Sequence, residues 1–133
     1  MIDIQVDAAR SLIRATLSGF LSLADVRDFA AAQQAAAEAM GVGSGRFLLL
    51  VDTAGCLIQS QETIAAFRDF SAHSTLKARR IAVARMRSPT RAQTARILRG
   101  RTETAIFASR TFAEAWLFST AAPPAIRLPP LLR

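Results

Sequence analysis

The chain contains few residues that could supply catalytic or metal-binding groups. His73 is the only histidine and Cys56 the only cysteine, and together they cannot provide the three or four ligands of a zinc site. A Gly-x-Ser-x-Gly motif that would present a nucleophilic serine is absent. His73 falls near the predicted end of a helix, where it can interact with the last carbonyl groups. We therefore predict no catalytic residue, no metal, no cofactor and a protein that is not an enzyme.

A lone cysteine and a cluster of glycines also occur at positions that could take part in chemistry. Cys56 precedes a predicted helix and could be a reactive thiol, although small buried packing is the commoner role of a lone cysteine. Gly41, Gly43 and Gly45 follow a predicted helix and precede a strand. This is the reverse of the order found in phosphate-binding loops, so the glycines do not predict a nucleotide site.

Asp52 is the acidic residue whose position is most suggestive of a site. It follows Phe47–Val51, a continuous apolar run typical of a strand that is covered on both faces. Ligands of open α/β sheets bind beyond the carboxyl ends of the strands, so Asp52 could line a crevice there with Thr53, Ser60 and Gln61. An Asp that bonds to its own loop backbone in a turn explains the same position.

Positive charge is concentrated in one segment of the chain. The net charge is +7, yet residues 1–76 contain five arginines against eight acidic residues. Residues 77–110 contain one lysine and nine arginines against Glu103 alone. Arginine forms bidentate hydrogen bonds with carboxylates and phosphates, which favours an anionic partner. An Arg-rich composition encoded by a GC-rich genome would produce the same bias.

The third predicted helix, from Pro89 to about Arg99, has a basic side and an apolar side. At about 100° per residue its three arginines fall within an arc of roughly 140°, opposite the apolar residues. Backbone N–H groups at the start of the helix add to this basic side. The candidate anion-binding residues are Arg87, Ser88, Arg91, Arg96 and Arg99. A solvated helix face is typical of the same pattern.

Hydrophobic periodicity and turn residues predict the element order β-β-α-β-α-β-α-β-α. Residues 2–17 form an opening hairpin that is broken at residues 7–10 and ends at Gly19. Ser22 and Asp25 resemble a capping box at the start of an Ala-rich helix that runs to about Met40. The later elements are strands at Phe47–Val51, Arg80–Ala84 and Ala105–Phe107, and helices at Ser60–His73, Pro89–Arg99 and after a cap formed by Thr111 and Glu114.

The predicted fold is a single α/β domain at residues 1–118, with a mixed, largely parallel sheet of about five strands and four helices. Phe47–Val51 is the predicted central strand and Ile81–Ala84 its neighbour, with helices on both faces. Residues 119–133 contain two Pro-Pro pairs and are predicted to be an extended tail. This tail is either a frayed end or an arm docked on its own domain or on a neighbouring subunit.

The element order and several strings of residues resemble STAS/SEC14-type domains, in particular the SpoIIAA-like branch. The strings are FLLLVDT at 47–53, RRIAV at 79–83, RAQTAR at 91–96 and FAEAWL at 112–117. The resemblance covers residues 2–118. It implies protein–protein docking, which some members switch by phosphorylating a serine at the start of the helix after the central strand. In other members it implies binding of a nucleotide or a lipid.

Ser60 occupies about the place of that phosphorylated serine. The family's motif is Asp-Ser-[Ser/Thr]-Gly, whereas this chain has Gln59-Ser60-Gln61-Glu62 and keeps only the serine. Phosphate at a helix N-terminus is electrostatically favourable, so Ser60 is the candidate phosphorylation site. A helix N-cap explains Ser60 as well.

We therefore expect a non-enzymatic interaction or regulatory module that forms a homodimer or binds a protein partner. The alternative is a binder of a small anionic ligand, a nucleotide or an acidic lipid headgroup, at the face of the third helix and the central strand. Nucleic acid is not favoured, because no aromatic residue lies between Lys77 and Ile106 for bases to stack on. The N-terminal residues and the lack of a long apolar segment favour a cytoplasmic protein that does not cross a membrane.

Overall fold

The computed structural model describes residues 1–84 and 88–124, and for residues 88–90 it describes the backbone alone. The strands are β1 (Ile2–Asp7), β2 (Leu12–Gly19), β3 (Leu48–Cys56), β4 (Arg80–Ala84) and β5 (Thr104–Phe107). The helices are α1 (Leu23–Met40), α2 (Gln61–His73), α3 (Ser88–Ile97) and α4 (Arg110–Leu117). One 3₁₀ turn, Ala8–Arg10, joins β1 to β2. The predicted α/β class, five strands and four helices are confirmed for the described residues.

The five strands form one mixed sheet in the order β1-β2-β3-β4-β5. The β1–β2 hairpin is antiparallel, and the other three pairings are parallel. The prediction of a largely parallel sheet therefore holds for β2 to β5 but not for the hairpin. Each crossover from β2 onward steps to the next strand in the same direction, so right-handed connections place α1, α2 and α3 on one face. Helix α4 packs on the other.

Alternate residues of the strands face these two layers. In β3, Leu49 and Val51 belong to the core beneath α1–α3, which we call the three-helix face. Leu48 and Leu50 belong to the core beneath α4, which we call the α4 face. Because successive strand residues point to opposite sides, both layers bury an unbroken apolar run. The predictions of β3 as the central strand and β4 as its neighbour are confirmed.

Helix α1 begins and ends where the sequence predicts. The Ser22 hydroxyl accepts a hydrogen bond from the Asp25 N–H at 3.1 Å, and the Asp25 carboxylate accepts one from the Ser22 N–H at 2.8 Å. This second bond lowers the pKa of Asp25 below its ordinary value. At the other end Gly41 has φ +70°, a left-handed conformation, and its N–H bonds back to the last turn. The capping box and the glycine stop are thus confirmed.

The predicted cap of the last helix is wrong. Ser109, with extended backbone angles, is the residue that caps α4, and its hydroxyl accepts from the Phe112 N–H at 3.3 Å. Thr111 lies inside the helix, where its backbone angles do not suit a cap. Glu114 reaches across to the hairpin instead and forms ion pairs with Arg10 and Arg14. The acidic residue that suggested a capping box therefore anchors α4 to the sheet.

Strands β2 and β3 continue further than predicted, and α3 ends at Ile97 rather than near Arg99. The predicted strand ends at Val51, but β3 continues to Cys56, and Gly19 and Cys56 pair at the end of the parallel ladder instead of breaking it. Gly55 lies so close to Ser18 that a Cβ built on it would be 3.0 Å from the Ser18 Cβ. A residue without a side chain lets the two strands run together beyond Asp52.

The first part of the predicted tail lies on its own domain. Arg80 donates hydrogen bonds to the carbonyl oxygens of Trp116 at 3.0 Å and Ala121 at 2.6 Å, and it pairs with Glu103 at 2.7 Å. Its guanidinium carbon lies 4.4 Å from the centre of the Trp116 ring. One arginine of the basic segment is thus a buried structural anchor. Residues 125–133, the rest of the tail, lie outside the described residues.

Candidate functional site

Of the three arginines predicted on one side of α3, Arg91 and Arg96 lie in the helix and Arg99 lies beyond its end at Ile97. Arg96 and Arg99 are exposed and Arg91 is half-buried. Leu98 is buried in the three-helix core, so the apolar side of this segment faces the sheet. Arg87 lies outside the described residues, and of Ser88 only the backbone is described. Anion binding by this side of α3 stays a prediction.

The predicted crevice around Asp52 is divided by the sheet. Asp52 and Thr53 are consecutive strand residues and point to opposite faces. Asp52 is 2% exposed, and its Oδ1 accepts a hydrogen bond from the Ala54 N–H at 3.1 Å. Arg110, at the start of α4, lies 3.7 Å from the other carboxylate oxygen. The hydroxyl of Thr53 donates to the carbonyl oxygen of Ala84 at 3.3 Å.

Ser60 and Gln61 do not complete this crevice. Ser60 is the exposed N-cap of α2, where its hydroxyl accepts from the Thr63 N–H at 3.1 Å. Gln61 is the exposed first residue of the helix. The four residues Asp52, Thr53, Ser60 and Gln61 therefore do not line one cavity. The alternative role of Ser60 as an N-cap is confirmed, and its phosphorylation stays a prediction.

Two glutamines connect the loops at the carboxyl edge of the sheet. The Gln59 side chain accepts from the Leu21 N–H at 2.7 Å and donates to the Gly19 carbonyl at 2.9 Å. From α3, the Gln93 side chain bonds both backbone groups of Gln59, at 2.9 and 2.8 Å. The loops after β2 and β3 are thus held to each other and to α3.

These connected loops display large apolar side chains to solvent. Phe20 is 72% exposed, Leu57 49% and Ile58 57%. Phe20 follows Gly19, whose carbonyl accepts a hydrogen bond from the Leu57 N–H at 3.3 Å, so the two loops are adjacent. We call Phe20, Leu57 and Ile58 the loop edge. Clustered exposed apolar residues of this kind mark interaction surfaces more often than scattered ones do.

A cavity of about 110 Å³ lies between the three-helix face and α1, α2 and α3. We call it the central cavity. Three aromatic side chains from α1 and α2 line it: Phe29, Phe67 and Phe70. The Phe29 ring centre is 6.0 Å from each of the other two, in edge-to-face geometry. The strands contribute the aliphatic wall, which consists of Leu17, Leu49, Val51, Ile81 and Val83.

Two smaller spaces adjoin the central cavity. Towards the carboxyl edge of the sheet, an upper cavity of about 50 Å³ shares Thr53 and Phe67 with it and reaches Cys56 and Leu57. On the outside, a groove of about 260 Å³ between α1 and α2 shares four lining residues with the central cavity. These are Gln33, Phe70, Ser74 and Leu76. The central cavity and the groove are therefore adjacent.

Two buried polar atoms, each on a residue that lines the central cavity, have no hydrogen-bond partner among the described residues. They are the carboxamide oxygen of Gln33, a residue 4% exposed, and the hydroxyl of Ser71, a residue 8% exposed. Leaving such a group buried and unpaired costs about 1–3 kcal/mol. An apolar cavity with a few polar groups of this kind is the usual composition of a small-molecule site.

A cationic side chain also lines the central cavity. Arg101, after the end of α3, donates from Nη2 to the carbonyl oxygen of Ala78 at 3.2 Å. Burial lowers the pKa of Arg101. Within the described part of the chain, no carboxylate lies within ion-pair distance of it. Its charge is therefore balanced by no side chain there.

Gln33, Ser71 and Arg101 were not predicted as site residues, although a signal for two of them was present. Gln33 lies four residues after Phe29 and four before Ala37, so a polar residue interrupts the buried apolar side of α1. Ser71 lies four residues after Phe67 and interrupts the stripe of α2 in the same way. A polar residue at such a position must find a partner, and this requirement points to a ligand, a water molecule or another side chain.

His73 and Cys56, the other two side chains that could take part in chemistry, lie in surroundings typical of structural rather than reactive residues. His73 is the last residue of α2, and its Nδ1 lies 3.1 Å from the Asp69 carbonyl oxygen, as expected for a helix end. Burial raises the pKa of the Cys56 thiol, which disfavours a reactive thiolate.

In residues 1–84 and 88–124, no group of three or more His, Cys, Asp or Glu side chains is placed to hold a metal ion. In the same residues, no helix has the length and apolar character needed to span a bilayer.

No protein-family model matches the chain, and no curated protein matches its sequence. The STAS-type kinship therefore stays a prediction from the strings and the element order.

Proposed function

We propose that the chain is a non-enzymatic binding domain that holds a small, mostly apolar molecule in its central cavity. The observation that carries the proposal is the cavity itself, which is lined by three phenylalanines and five aliphatic strand residues and adjoins an outer groove. In another protein, an apolar cavity of about 150 Å³ binds benzene. The central cavity, at about 110 Å³, and the upper cavity beside it suit a compact molecule of similar size.

The energetics favour an occupant. Apolar side chains that border open space lack van der Waals contacts on one side, which costs stability. A molecule that restores van der Waals contact with the walls recovers part of this free energy. Binding to the folded state then raises stability, by about 2.7 kcal/mol at a ligand concentration one hundred times Kd. Ligand binding is therefore measurable as a shift in unfolding temperature.

Toluene is a suitable probe for the cavity. We expect saturating toluene to raise the unfolding temperature of the wild-type protein and to perturb the methyl NMR signals of Val51 and Val83. Val83→Phe, which places a ring in the cavity, should abolish the effect, and Thr94→Leu should reduce it if the first variant folds poorly. Absence of any shift or methyl perturbation with toluene, benzene and xenon would contradict the proposal.

Docking through the loop edge is a second candidate function, in line with the interaction module expected from the sequence. It is supported by Phe20, Leu57 and Ile58, three large apolar side chains presented on loops that Gln59 and Gln93 hold together. We propose that the occupant is a second copy of the chain. An apolar patch can bury itself against its own copy across a two-fold axis without charge complementarity.

Light scattering over a dilution series tests this second candidate. We expect a dimer at high concentration that dissociates on dilution, and Ile58→Ser should shift the midpoint to a higher concentration. Val6→Ser is the control, because Val6 is 44% exposed and pairs with Ile13, at the opposite end of β2 from Gly19 and the loop edge. A strict monomer at every concentration would rule out self-docking.

A further inference from the structure

We infer that the ligand of the central cavity is a small apolar molecule with one carboxylate group, and that this carboxylate pairs with Arg101. The inference rests on the proposed function, because it names the chemical class of the molecule held in the same cavity. It is carried by the placement of one cation beside an otherwise uncharged space. Among the described residues that line the central cavity, Arg101 is the only charged one.

Two hydrogen bonds hold Arg101 beside the central cavity. Its backbone N–H donates to the Leu98 carbonyl oxygen at 3.0 Å, and its Nη2 donates to the Ala78 carbonyl oxygen at 3.2 Å. Leu98 is itself a buried lining residue, and Ala78 is buried in the same core. Arg101 is therefore anchored at both its backbone and its guanidinium among residues of the three-helix face, while it stays partly accessible.

The acidic residue nearest to Arg101 in the sequence does not neutralise it. Glu103 pairs with Arg80 instead, at 2.7 Å. Arg80 lies on the α4 face, where it also donates to the Trp116 carbonyl oxygen. The arginine of the α4 face thus has its carboxylate, whereas Arg101, on the three-helix face, has none within ion-pair distance among the described residues. A carboxylate for Arg101 has to come from a ligand.

A single guanidinium beside apolar walls favours a single carboxylate. The bond to Ala78 uses one N–H donor of the guanidinium and leaves others for a ligand, and a carboxylate can accept two of them in parallel. A phosphate monoester would bring nearly two negative charges against one cation. An ammonium group would be repelled, and a neutral molecule would cover the cation without pairing it.

Benzoate and toluene form the matched pair of probes, since they share a ring and differ by a carboxylate in place of a methyl group. By titration calorimetry at neutral pH and low salt, we expect benzoate to bind the wild-type protein roughly tenfold more tightly than toluene, the effect of a charge-assisted pair. Benzoate should also displace toluene, as followed by the methyl NMR signals of Val51 and Val83. In Arg101→Met, which keeps the apolar stem without the charge, benzoate should bind no more tightly than toluene.

Arg68→Met is the matched control. Arg68 is exposed on α2 and is not among the residues that line the central cavity. The substitution lowers the net charge by the same amount and should keep the wild-type preference for benzoate. Toluene affinity reports whether the cavity is intact in each variant. Arg101→Gln, which keeps a donor for the Ala78 carbonyl oxygen, replaces Arg101→Met if that variant folds poorly.

The outcomes separate this inference from the proposed function. If benzoate binds no more tightly than toluene to the wild-type protein, the carboxylate is not recognised, and the inference fails while the cavity proposal stands. If benzoate keeps its advantage without Arg101, or binds without displacing toluene, its carboxylate lies elsewhere and the inference also fails. If neither probe binds, the proposed function fails first.

Discussion

On the α4 face of the sheet, the small residues of β4 and β5 meet large helix residues, whereas on the three-helix face large residues from both layers leave space between them. Ala82, Ala84 and Ala105 are fully buried beneath Trp116 and Leu117. Across the sheet, Leu49, Ile81 and Val83 line the central cavity together with the phenylalanines of α1 and α2. The first face is filled in the manner of a core, and the second has the composition of a binding site.

The difference follows from the number of elements that must fit together. Helix α4 is a single short helix and can settle until Trp116 contacts the alanines. Helices α1, α2 and α3 must pack against one another as well as against the sheet, so none can approach it independently. Gln33 and Ser71 replace apolar side chains in the buried stripes of α1 and α2 and leave the wall polar at two points. We infer that the α4 face maintains the fold and the three-helix face binds.

The largest effect is expected from Trp116→Ala on the α4 face. The side chain is buried against Phe107, with ring centres 5.6 Å apart, and lies under the Arg80 guanidinium. Its removal should lower the free energy of unfolding by about 3–5 kcal/mol, as measured by urea denaturation. The control is Phe112→Ala on the same helix, which should change stability by less than about 0.5 kcal/mol because Phe112 is exposed. Similar losses in both variants would contradict the description of this face as a close-packed core.

Arg80→Ala should cause the second-largest loss of stability. The side chain is buried and bonds to two backbone carbonyl oxygens and to Glu103. We expect a loss of about 3 kcal/mol, since these carbonyls would lose charged donors in a place with little access to water. Arg79→Ala, at the exposed neighbouring position, is the matched control and should be nearly neutral. A neutral Arg80→Ala would show that this end of α4 needs no such anchor.

Ala82→Val and Val83→Ile test the two faces at adjacent positions of β4. Ala82 is fully buried under α4, so added methyl groups should destabilise the protein by about 1–3 kcal/mol. Val83 lines the central cavity, so one added methylene should be neutral or stabilise by about 0.5–1 kcal/mol. Thermal and urea unfolding measure both. If the two substitutions lower the free energy of unfolding by the same amount, the central cavity has no room for an added methylene. The proposed difference in packing between the two faces would then be wrong.

The smallest effect concerns Cys56 in the upper cavity. Burial raises the pKa of its thiol above the ordinary value of 9.0, so the folded protein holds the proton more tightly than the unfolded chain. This contribution to stability is complete below pH 9 and is lost as the pH rises through the folded pKa. Because the thiol is only half-buried, we expect less than about 1 kcal/mol. Cys56→Ala should show a flatter stability curve between pH 8 and 10, and parallel curves would contradict the prediction.

The fold was largely predictable because it depends on local patterns. The apolar run at Phe47–Val51 predicted the central strand, and Ser22, Asp25 and Gly41 predicted both ends of α1. The cap of α4 was missed because Thr111 and Glu114 have the spacing of a capping box. The choice between that box and the Ser109 cap depends on where β5 ends and on the ion pairs of Glu114 with the hairpin.

The candidate site was less predictable, and the reason is geometric. Asp52 and Thr53 are neighbours in the chain, but the alternation of a strand sends them to opposite faces. Gln33 and Ser71 are 38 positions apart in the sequence and line one cavity because α1 and α2 lie side by side on the sheet. A polar residue in a buried stripe could have been noticed in each helix. No short-range sequence pattern connects Gln33 with Ser71.

The amino-acid sequence by itself determined the element types and their order, which strand is buried on both faces, and the concentration of arginine between residues 77 and 110. These properties depend on short-range periodicity, capping residues and side-chain charge. The tertiary structure alone decided that Arg80 is a buried anchor and that the loop edge is held together by Gln59 and Gln93. It also decided that a cavity lies between the helices and the sheet and that Gln33 and Ser71 line it. Such properties depend on which distant residues meet, and this is set when helices pack on a sheet.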